Sequence, residues 1–107
     1  MRTWTETHRE GEEVGKIDWS HEMIASCGLD INQLKRMEEH PERFQATTDG
    51  GWPRCGIRRV IAFCMYDGWP YWTPHPAIFY AGVLGGEWHS LNSISDIYED
   101  KIEETVA

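Results

Sequence analysis

Two near-copies of one turn constrain this chain more than any other feature. Asp49-Gly50-Gly51-Trp52-Pro53 and Asp67-Gly68-Trp69-Pro70 stand on either side of the apolar run CGIRRVIAFCMY, residues 55–66. Asp-Gly bends a chain, and Trp-Pro leaves it extended, so each copy punctuates a strand end. Within the run, Ile57, Arg59, Ile61, Phe63 and Met65 alternate with Arg58, Val60, Ala62, Cys64 and Tyr66. Both sets are apolar beyond residue 59, the pattern of a central strand covered on both faces. AIFYAGVL (77–84) reads as a second strand with a bulge at Gly82. Gly85-Gly86 is placed as the tight turn into a third strand, Glu87 to about Leu91.

The N-terminal half has a different period. A first helix is expected from Asp18 or Ser20 to Cys27, capped by Ser20, with Gly28 as its C′ residue. A second begins at Asp30, its N-cap, with Gln33 at N3 in a capping-box variant and Leu29 stapled to Leu34. Leu34 and Met37 face inward, and His40-Pro41 ends the helix. PERF adds a turn that sets Phe44 against the core, and ATTDGG reads as loop. In the tail, Ile94, Ile97 and Ile102 lie near helical spacing, so a short C-terminal helix is preferred over a short strand. The expected architecture is α+β: an N-terminal helical hairpin, a three-stranded antiparallel β-meander, and that final helix. Residues 1–17 form an extended or partly disordered acidic lead-in, and 18–107 a single domain.

Composition narrows the function classes. The net charge is −8, and the acids lie at the ends and in the N-terminal half. Residues 50–94 hold only Asp67 and Glu87 against Arg54, Arg58 and Arg59. Such a chain repels nucleic-acid phosphates unless those arginines form a local patch. No run approaches the length of a membrane span, and the polar N-terminus is not a secretory signal, which points to a cytoplasmic protein without membrane contact. Three cysteines without CxxC spacing (Cys27, Cys55, Cys64) form neither a disulfide framework nor a zinc knuckle. No metal or cofactor is expected.

Cys64 with His75 or His89 and Asp67 can be drawn as a nucleophilic triple, but almost any chain of this length offers one and no catalytic motif frames it. The expectation is therefore a non-enzymatic protein. MIASCGLDINQLKRM has a helix-turn-helix rhythm, yet Glu38 and Glu39 flank the basic residues of its second helix. Trp, Tyr and Arg dominate protein interfaces. Tyr71, Trp72 and His75 are in surplus over what a turn needs and, with Trp69, are read as a partner-binding tip. Glu38, Glu39, Glu103 and Glu104 are its acidic counterparts.

Small size and acidity are similar to those of inhibitors encoded by phages and mobile elements, such as anti-CRISPR and anti-restriction proteins. By that analogy the chain occludes a basic nucleic-acid-binding surface on a protein partner, without binding nucleic acid directly. The alternative is a small-ligand or single-strand module in which Trp69, Tyr71, Trp72 and Arg58 form a stacking pocket.

Overall fold

The computed structural model describes residues 11–48, 56–82 and 85–101. Strand β3 (Arg58–Gly68) is the axis of the fold; on one side it pairs with β4 (Thr73–Gly82), which in turn pairs with β5 (Gly85–Ser90). Its other edge is shared. β2 (Phe44–Thr48) takes the first residues, Arg58 and Arg59, and β1 (Glu12–Gly15) takes Met65 to Asp67. β6 (Ile94–Glu99) completes the sheet beyond β2. All six strands are antiparallel, in the order β5-β4-β3-β2-β6, with β1 beside β3.

This overturns the expected architecture of a helical hairpin followed by a three-stranded meander and a C-terminal helix. The described residues are mostly sheet, with two short helices, α1 (Glu22–Ser26) and α2 (Ile31–Glu39). The Ala46–Thr48 segment, expected as loop, is strand. So is 94–99, expected as helix.

β-Bulges are the physical reason for the second error. In the β2–β6 ladder Thr47 pairs with Asp96 but Thr48 with Ile94, so Ser95 is an extra residue. The insertion brings Ile94 and Ile97, three positions apart, to one side of the strand, which imitates helical spacing. A second bulge lies between Val60 and Ala62 in β3. It moves Val60 onto the side of Phe63 and Met65 and leaves Ile61 half-exposed, against the strict alternation expected there. β4 also starts four residues earlier than expected. Pro74 and Pro76 lie in the stretch that pairs with β3 alone, since β5 pairs only from Ala77 onward. There a residue without an N–H can face away from the ladder.

One face of the sheet carries the core. Val60, Phe63, Met65, Ile78 and Tyr80 pack with Met23, Ile24, Leu34 and Met37 of the helices and with Phe44, Ala46, Leu91 and Ile94. Leu34 and Met37 are fully buried, as the spacing of α2 predicts. Asp30 caps α2, its carboxylate accepting the Asn32 N–H at 2.9 Å. Gln33 does not close a capping box; its amide instead donates to the Ile97 carbonyl across the domain. α1 is capped by His21 rather than Ser20, with Nδ1 accepting the Met23 N–H at 3.1 Å. Ser20 is engaged by Asp18, whose Oδ1 accepts from both its N–H and its hydroxyl. Among the described residues no helix is long and apolar enough to cross a membrane.

Candidate functional site: an aromatic turn over a Ser–His pair

The β3–β4 hairpin closes with Gly68 opposite Thr73, leaving Trp69 to Trp72 as the connection. The Gly68 carbonyl accepts both the Tyr71 and the Trp72 N–H, at 3.2 and 2.8 Å. Trp72 takes a left-handed conformation (φ 53°), and the Trp69–Pro70 bond is cis. The result is a tight turn that holds Trp69 70% and Tyr71 44% exposed. Trp72 is half-buried. His75 is only 2% exposed, so it supports the turn from beneath rather than forming part of its tip.

Beneath the turn lies a set of directional contacts on the sheet face opposite the core. The Tyr71 ring meets His75 edge-on at 5.0 Å, and Tyr66, opposite His75 in the ladder, does so at 6.0 Å. Tyr66 stacks on Trp88 at 4.2 Å, and Trp88 on Phe79 at 5.0 Å. Gly68 lies against the Tyr66 ring and Gly86 against the Phe79 ring. A Cβ at either position would collide with the ring, which explains glycine at these two places.

His75 is held at both nitrogens. Nδ1 lies 2.7 Å from the Thr73 carbonyl, which can only accept, so Nδ1 carries the proton. In the neutral ring Nε2 is then the acceptor, and the Ser90 hydroxyl donates to it at 2.9 Å. Ser90 is 5% exposed. It pairs with Ala77 in the β4–β5 ladder, diagonal to His75 on the same face.

Two hollows flank this pair. One, of about 330 Å³, is lined by His21, Glu22, Tyr71, Thr73, His75 and Asn92. The other, of about 190 Å³, is lined by Trp69, Tyr71, Trp88, His89, Ser90 and Asn92. The Asn92 amide donates to the Tyr71 hydroxyl, and both residues line both hollows. Sequence reasoning missed Ser90, Asn92 and His21. The signal for Ser90 was its pairing with β4, which depends on where the β4–β5 hairpin turns.

The acidic residues fall into two groups. Glu38 and Glu39 line a third hollow, of about 450 Å³, with Glu13, Lys16, Phe63 and Cys64. Glu38 also accepts the Ile17 N–H at 2.7 Å, tying the entry of the chain to α2. β1 continues the acidic strip toward the turn, since Glu12 lies opposite Asp67, one residue before Gly68. Glu103 and Glu104 lie outside the described residues. The Cys64 thiol is pushed up to about 11 by burial, then by the charges of Glu13 and Glu38, so at neutral pH it is protonated and poorly nucleophilic. His75 is engaged with Ser90, and His89 with Glu87 at 3.2 Å, so the Cys64–His–Asp67 triple is not assembled. Arg58 lies at the far end of β3, ten residues from Gly68 and so roughly 33 Å from it at about 3.3 Å per residue. It cannot share a pocket with Trp69 and Tyr71.

Among the described residues no three His, Cys, Asp or Glu side chains gather as a metal site. The fold and site together define a six-stranded antiparallel α+β domain with an aromatic turn over a buried Ser–His pair. No protein-family model, curated protein or solved structure matches this chain.

Proposed function

We propose that this protein binds a basic protein surface through the aromatic turn and the acidic strip beside it, and so occludes a nucleic-acid-binding groove on its partner. The observation that carries this reading is the juxtaposition at one end of β3. Trp69 and Tyr71 project from a hydrogen-bonded turn, and Asp67, Glu12 and Glu13 lie at its base. The strip runs on to Glu38 and Glu39, with Lys16 as the one cation among the described residues that line that hollow. A turn already closed by its own hydrogen bonds loses little conformational freedom on binding, and exposed Trp and Tyr supply contact area. The carboxylates select a cationic partner and speed its encounter. A single-strand stacking pocket is the weaker reading, because Arg58 is remote from the aromatics and the neighbouring charge is negative.

The test is affinity capture on the purified chain from its native host, followed by Kd measurements with the captured protein. Trp69→Ala with Tyr71→Ala should weaken binding by about 30-fold or more, the scale of a hot-spot residue. Raising the salt, or the pair Glu38→Lys and Glu39→Lys, should weaken it further, and the partner's own nucleic acid should compete. Affinity insensitive to both the aromatics and the charge would overturn the proposal.

A further inference from the structure

We infer that Ser90 and His75 form a nucleophile–base pair able to transfer a small acyl group from an ester of an aromatic alcohol to water. This is an activity beyond partner binding. The three parts of an activated serine are present: a hydroxyl, a base, and a group that orients the base. Ser90 Oγ donates to His75 Nε2 at 2.9 Å, and the Thr73 carbonyl fixes the tautomer from the other side at 2.7 Å. A backbone carbonyl here takes the place of the carboxylate that usually holds a catalytic histidine. His75 and Ser90 are 2% and 5% exposed, so bulk water does not compete for the hydrogen bond.

Access is from the hollow of about 190 Å³ that Ser90 lines. It is smaller than the roughly 300 Å³ at which drug-sized pockets begin, so it admits an acyl group of only a few carbons. Its walls include Trp69, Tyr71 and Trp88, which suit an aromatic leaving group. In the reaction, Ser90 Oγ bonds to the ester carbonyl carbon while its proton passes to His75 Nε2. The carbon–oxygen bond to the leaving group then breaks, and the alcohol departs with the proton from Nε2. Water attacks the acyl-serine with His75 again as base, releasing the carboxylic acid and restoring the Ser90 hydroxyl. Asn92 lines the same hollow, and the second N–H of its amide, the one not given to Tyr71, is the donor for the developing oxyanion.

The test uses the full chain with two probes, an alkyl fluorophosphonate and p-nitrophenyl acetate. The expected result is one phosphonyl adduct, mapped to Ser90 by peptide mass spectrometry, and ester hydrolysis blocked by that adduct. Ser90→Ala should abolish both, and His75→Gln should slow hydrolysis by about 100-fold or more, the scale of general-base catalysis. Should either variant fail to fold by circular dichroism, the wild-type protein decides alone. No adduct, an adduct at another residue, or hydrolysis that survives phosphonylation of Ser90 overturns the inference and leaves the hydrogen bond as a tie between β4 and β5.

Discussion

On one side of β3, β4 and β5, Val60, Phe63, Met65, Ile78 and Tyr80 pack against two helices and the side chains of β2 and β6. On the other side, Tyr66, His75, Phe79 and Trp88 meet one another as oriented rings, and Ser90 meets His75 through a hydrogen bond. The first face is held by non-directional burial, which depends on volume and tolerates a change of shape better than a loss of atoms. The second depends on angles and donors, so a change of a single atom type matters there. The stability of the domain therefore resides mainly on the helix-covered face. The turn and the paired polar groups lie on the other, whereas the hollow lined by Glu38, Glu39 and Phe63 belongs to the helix-covered face.

Removing volume from the first face should have the largest effect. Phe44→Ala empties a site that is 1% exposed and should cost about 3–5 kcal/mol, read as a lower urea midpoint at unchanged slope. A loss below about 1 kcal/mol would break the contrast between the faces.

Next is Ser90→Ala. It removes few atoms but leaves the buried Nε2 of His75 without its donor, at a cost of about 1–3 kcal/mol by the same measurement. A cost near zero would show that the polar face is not held by its hydrogen bonds.

A pH experiment sharpens the comparison at the edge of β3. The Cys64 thiol, normally near 9.0, is raised to about 11 in the folded protein. The unfolded chain therefore loses its proton first. The associated stability is intact below about pH 9 and declines as pH rises toward 11. Cys64→Ser should flatten that alkaline limb in denaturation curves, and iodoacetamide should label Cys64 slowly at pH 8 until the protein unfolds. An unchanged limb would show that burial does not act on the thiol.

The smallest effect on stability is expected at the tip. Trp69→Ala, at a residue 70% exposed, should shift the midpoint by no more than about 0.5 kcal/mol while losing partner affinity. A large destabilisation would mean that the indole holds the turn together.

Local chemistry was legible without any structure. Asp30 as a cap, Leu34 and Met37 as the buried stripe, and Gly28 with positive φ all follow from neighbours within four residues. The turn at Gly68 was legible for the same reason, and with it the exposed aromatics. Strand character at β3, β4 and β5 was legible too, but their register and the strands β1, β2 and β6 were not. Gly85-Gly86 offers the most permissive backbone near the β4–β5 connection, and a turn centred there would set Ser90 opposite Ala81. The observed ladder pairs Gly82 with Gly85 and sets Ser90 opposite Ala77 instead. That shift brings Ser90 beside His75.

By itself, then, the sequence determined that the chain turns at Gly68, where its second helix begins, and that aromatic residues crowd one turn, because those properties are set by torsions and side chains close in the chain. Only the tertiary structure decided that 44–48 and 94–99 pair as strands, that bulges at Ile61 and Ser95 rotate their neighbours, and that Ser90 meets His75. Those outcomes depend on ladder register between distant segments. A one-residue insertion there reverses which side every later side chain faces, and no local preference records it.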